Sequence, residues 1–139
     1  MAEPRELSPD ECWTLLGDHG TGRLAVQDVD EGVDIFPIDY LVTDRRLYFR
    51  SGPGRKLVDI TAHPSVAIEA EGRSGRHRWS IVVRGVASRL GSDSEIESAG
   101  IKELAPSHPG DKLNFVGVVP SSITGRSFAP MAPWERRRA

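Results

Sequence analysis

One cysteine in 139 residues, Cys12, leaves this sequence without a disulfide framework or a four-cysteine zinc site, and a reducing compartment suits it. The four histidines, His19, His63, His77 and His108, are scattered without the paired spacing of metal ligands, so each reads as a surface or structural residue. An excess of positive charge is missing too. The net charge is −2 and the pI is near 6.1, which removes the basic field by which proteins bind DNA or RNA non-specifically. No stretch approaches the roughly 18 apolar residues of a membrane span. The opening MAEPRELSPDE has no signal-peptide core, so the expectation is a cytoplasmic protein with neither nucleic-acid nor membrane partner. A G-x-S-x-G elbow and a Walker phosphate loop are also absent, and Gly52-Pro53-Gly54 lacks the third glycine and βαβ setting of a dinucleotide fold.

What remains fits one domain spanning 1–139, with its core over about 8–128 and an irregular tail over 129–139. Apolar residues make up 38% and charged residues 27%, a lean core that association would help to stabilise. Ser8-Pro9-Asp10-Glu11 predicts a helix start, with a serine N-cap, proline at the first position and a glutamate placed for a capping box. The helix runs to about Leu16, with Cys12, Leu15 and Leu16 on one face and Gly17 as its stop. Cys12 reads as a small buried apolar residue rather than a nucleophile. From Thr21 the period changes to alternation. Extended runs follow at about 21–27, 33–42, 46–51, 65–70, 77–90 and 112–119. A two-turn helix lies at 55–62 with Leu57, Val58 and Ile60 as its apolar residues, and a further helix at 91–104. About six strands joined as hairpins predict a mainly β, α+β chain folded as an antiparallel barrel with short flanking helices. Pro37, inside the second run, cannot donate to a ladder and marks an edge, a bulge or a ligand as its neighbour.

The segment Tyr48-Phe49-Arg50-Ser51-Gly52-Pro53-Gly54-Arg55-Lys56-Leu57 carries the chemistry. A strand ends in a glycine-rich turn that opens a helix, whose first N–H groups are free to meet an anion. That positive end normally favours Asp or Glu, yet here it holds Arg55 and Lys56, with Arg50 across the turn. Either a phosphate sits among the three cations, chelated by Arg50 and bonded by Ser51 and Lys56, or they splay apart into screened solvent.

These residues resemble the phosphate-binding strand and turn of the pyridoxamine-phosphate-oxidase-like, FMN-binding split β-barrels. The resemblance spans roughly Ser8 to Phe128. It includes Gly22-Arg23-Leu24-Ala25, the strand Ile35-Phe36-Pro37-Ile38-Asp39-Tyr40, the strand Trp79-Ser80-Ile81-Val82-Val83-Arg84-Gly85 and the late Thr124-Gly125-Arg126. It implies a six-stranded split barrel working as a homodimer, with FMN at the subunit interface and hydride transfer through flavin N5 to or from a small-molecule substrate. It further implies that Arg50, Ser51 and Lys56 hold the phosphate, with Arg55 assisting, and that Pro37, Ile38 and Tyr40 line the flavin ring. Tyr40 reads equally as a core aromatic. Trp79 either approaches the cofactor or belongs to the core, and Thr124 and Arg126 are either loop residues or lie near ring or substrate, from either subunit. The chain lacks the longer C-terminal segment of the vitamin-processing oxidases, so it looks more like the small bacterial members of the class, including those resembling nitroimidazole-resistance reductases. Two alternatives stay open: a deazaflavin in place of FMN, or a non-enzymatic flavin or haem carrier or sensor.

Overall fold

The computed structural model describes residues 4–52, 54–91, 94 and 114–130. Apart from residues 91 and 94, the expected helix at 91–104 falls outside these residues, as does most of the tail at 129–139. The elements are β1 (Arg5–Leu7), α1 (Pro9–Leu16), β2 (His19–Gln27), β3 (Val33–Thr43), β4 (Arg46–Ser51), α2 (Arg55–Ala62), β5 (Ser65–Ser74), β6 (His77–Arg89) and β7 (Asn114–Phe128). All strand pairings are antiparallel, in the order β1-β7-β4-β3-β2-β5-β6, and β6 pairs again with β7. That last pairing closes β2 to β7 into the six-stranded barrel that the sequence predicts, and β1 adds a seventh strand outside the cycle.

Local chemistry sets most of the limits. Ser8 caps α1 through a capping box, its Oγ accepting from the Glu11 N–H at 3.2 Å while Glu11 accepts from the Ser8 N–H at 3.0 Å. Asp28 builds the β2–β3 turn by accepting from the N–H groups of Asp30 and Gly32 at 2.8 and 2.9 Å. The β3–β4 hairpin turns on two residues, Asp44 and Arg45, both left-handed at φ 52° and 55°, so the strand twist is matched without glycine.

Three sequence expectations need correction. Arg5–Leu7, left outside the core expected over about 8–128, pairs with Gly125–Ser127. The fourth extended run continues past Ala70 to Ser74, because a two-residue turn at Gly75-Arg76 suffices to reach β6. The last strand, expected to end at Val119, runs on to Phe128: β4 pairs with its first part, from Asn114 to Val118, and β6 from Val116 onward to Phe128. Pro120 is tolerated there because the register shifts between Arg84 and Gly85, and Ser121 Oγ donates to the Arg84 carbonyl at 3.1 Å.

Leu24, Ile38, Leu47, Phe49, Ile68, Ile81, Val83, Val116 and Val118 fill the barrel. Cys12 and Leu16 of α1 pack against it, and Gly125 leaves the space: a β-carbon there would stand 2.8 Å from Cys12 Sγ. Cys12 is fully buried, and burial raises its thiol pKa, as suits a packing residue. Among the described residues no helix is long and apolar enough to cross a membrane.

Candidate cofactor site

Among the described residues the barrel opens along one seam. Strand β3 pairs with β2 along Val33–Leu41, but with β4 only at Leu41–Thr43. Beyond Tyr48, β4 pairs with β7 alone. Over Val33–Tyr40 the second edge of β3 therefore has no strand partner among the described residues, and Pro37, which lacks an N–H, is tolerated there. The chain crosses this split from Ser51 into α2.

The start of α2 leaves backbone donors open beside basic side chains. Gly54 is its N-cap at φ 148°, a conformation that favours glycine, and no side chain caps the helix. The first intrahelical bond runs from the Val58 N–H to the Gly54 carbonyl, so the preceding N–H groups of the first turn are not used by the helix. No acidic residue lies in this turn. Arg55 is exposed and Arg50 half-buried, while Ser51 is buried with its Oγ donating to the Gly52 carbonyl at 2.9 Å. Lys56 places its ammonium 5.4 Å from the centre of the Phe36 ring and 6.0 Å from that of Phe49, spanning the split from β3 to β4. Burial lowers its pKa, as expected for a cation held partly out of water.

Only part of the sequence-derived site converges. Arg50, Ser51, Arg55 and Lys56 surround the turn, and Pro37 is exposed on the outer face of the neighbouring β3. Ile38 and Tyr40 point inward: both are buried, and the Tyr40 hydroxyl donates to the Leu16 carbonyl at 3.1 Å. Thr124 and Arg126 are exposed strand residues rather than loop residues. They lie about 33–40 Å of extended chain beyond Asn114, the partner of Ser51. Trp79 pairs with Ser127 at that same far region and lies over Gly72, where it helps line a cleft of about 500 Å³ with Arg5, Leu15 and His77.

Two features escaped the sequence reading. Val33 and Ile35 stand 72% and 64% exposed on the outer face of β3, and Val58, one of the apolar residues of α2, is 55% exposed. Val58 and Leu57 instead border an apolar groove of about 510 Å³. The inward positions of α2 are Ile60 and Asp59, a carboxylate with no exposed surface. Its position next to Ile60, on the face that carries Lys56, is the signal that could have marked it.

A closed six-stranded antiparallel barrel, split beside a cationic helix start, defines the split-barrel class of flavin-binding folds. The chain belongs to the pyridoxamine 5'-phosphate oxidase family, whose model matches residues 8–127. It is similar to a Corynebacterium glutamicum protein assigned as a pyridoxamine 5'-phosphate oxidase, at 34% identity and TM-score 0.79 over 95% of this chain and 98% of that one. It is likewise similar to an FAD-binding protein of Mycobacterium smegmatis, at 34% identity and TM-score 0.74 over 90% and 98% of the two chains. An FAD-binding protein of Mesorhizobium loti matches at 26% identity and TM-score 0.74 over 91% and 99%.

Proposed function

We propose that this protein binds FMN and acts as a flavin-dependent oxidoreductase on a small molecule, as a homodimer with the cofactor between subunits. The observation that carries the reading is the start of α2: an uncapped helix end, a glycine cap at φ 148° and cations where acidic residues normally lie. Arg50, Ser51 and Lys56 take the phosphate in this reading, with Arg55 assisting. Pro37 presents its ring to the flavin, while Ile38 and Tyr40 contribute the open backbone edge of β3 and hold it against the core. Trp79, Thr124 and Arg126 come from the second subunit, because within one chain they lie far from the cationic turn. The exposed Val33, Ile35 and Val58 supply apolar surface for that association. When bound, the flavin supplies hydride exchange at N5. The chain's own task is to fix the phosphate, orient the ring and keep water from it.

The direct experiment is to purify the protein without added cofactor, release bound small molecules by heat and identify them by absorbance and mass. FMN supports the proposal. FAD keeps the flavin and shifts the reading to that of the similar FAD-binding proteins, whereas a deazaflavin, haem or no ligand overturns the FMN assignment. Light scattering tests the assembly: a monomer at micromolar concentration with cofactor bound refutes the dimer.

A further inference from the structure

Behind the cationic turn, α2 directs Asp59 into the barrel. Asp59 has no exposed surface, and among the described residues neither of its carboxylate oxygens has a hydrogen-bond partner. Asp34 of β3 faces it, with its own Oδ2 buried and equally without a donor. Two ionised carboxylates in this position only repel, since neither can donate. One proton turns the repulsion into an O–H···O bond across the gap between helix and strand.

We propose that Asp34 and Asp59 hold one proton between them and form a proton-dependent latch that fastens α2 to β3. The charges acting on Asp59 come from three places. Asp34 on β3 and Asp28 at the β2–β3 turn favour its protonated form, and Arg55 in the first turn of α2 favours the ionised form. Desolvation is the largest influence and opposes the charge, so the Asp59 carboxyl titrates above the ordinary carboxylate range. A carboxyl raised in this way contributes stability that is complete below its unfolded-state pKa and lost as pH rises through the folded-state value. The effect is local. Apart from Asp59, α2 buries only Ile60 fully, so the helix loosens at a pH where the barrel strands still hold. Loosening α2 also disperses Arg55 and Lys56, but the latch itself does not depend on which anion they bind.

Carboxyl-detected NMR titration and pH-dependent amide exchange on the purified protein test this. Asp59 is expected to titrate above the ordinary carboxylate range. Protection of the Val58–Ala62 amides, corrected for intrinsic exchange, should then fall by up to about tenfold per pH unit between the ordinary carboxylate range and the Asp59 midpoint and level off above it, while Ile81 and Val83 in β6 stay protected. D59N should remove the pH dependence, because its amide donates to Asp34 without a proton. D34N should lower the Asp59 midpoint for the same reason and serves if D59N does not fold. An Asp59 midpoint within the ordinary carboxylate range, or unchanged α2 profiles and Asp59 midpoints in the variants, overturns the latch.

Discussion

The Lys56 ammonium lies 5.4 Å from the centre of the Phe36 ring, so a cation from the first turn of α2 reaches across the split to strand β3. Such a contact is worth about 0.5–2 kcal/mol, depending on desolvation, and it fixes where the charge sits. The arrangement holds a partly dehydrated cation beside the unused N–H groups of a helix start, which is the electrostatic basis of the proposed phosphate site.

Arg50→Ala and Lys56→Ala are each expected to weaken FMN binding by about 1.5–3 kcal/mol, as for charge-assisted hydrogen bonds. Flavin fluorescence titration measures this. Unchanged affinity in both variants would mean that the turn is solvated surface.

Tyr40→Phe separates two roles of one ring. The hydroxyl donates to the Leu16 carbonyl, so its loss should lower stability by about 0.5–1.5 kcal/mol in denaturant unfolding. Flavin affinity should stay unchanged; a large loss would place the hydroxyl at the cofactor.

Gly125→Ala should overpack the contact between α1 and β7, since its β-carbon would meet Cys12 Sγ at 2.8 Å and Leu7 at 3.1 Å. A cost of about 1–3 kcal/mol is expected. Adding Cys12→Ala should recover part of it, and strictly additive effects in the double variant would show that the two sites do not touch.

Glu11 supplies an acid-side signature. Its hydrogen bond to Arg5 and the Ser8 N–H lower its pKa from 4.5 to about 2. A depressed carboxylate stabilises the fold above its unfolded-state pKa and loses that contribution as pH falls through the folded value. The stability gap between the wild type and Glu11→Gln should therefore close between pH 4.5 and about 2, as read by urea unfolding at each pH. A gap constant over that window would assign the effect to packing.

The site was legible in the sequence where its chemistry is local. Arg50, Ser51, Arg55 and Lys56 lie within seven consecutive residues, so a strand followed by a helix brings them together whatever the remainder of the chain does. Tyr40 was ambiguous because alternation fixes which residues share a face but not which face looks inward. Thr124 and Arg126 could not be placed because their strand exists only through its partners.

The sequence by itself determined the elements whose causes lie within a few residues: the capping box that starts α1, the Asp28 turn, the glycine-rich entry to α2 and the alternating runs of the barrel. Only the tertiary structure decided what depends on distant partners. Arg5–Leu7 becomes a strand because β7 offers it an edge, and β7 reaches Phe128 because β6 pairs with it past Pro120. Asp59 becomes a dry carboxyl only when α2 packs against the barrel. Backbone hydrogen bonds and desolvation are set by which segments meet, and a local pattern carries no record of that meeting.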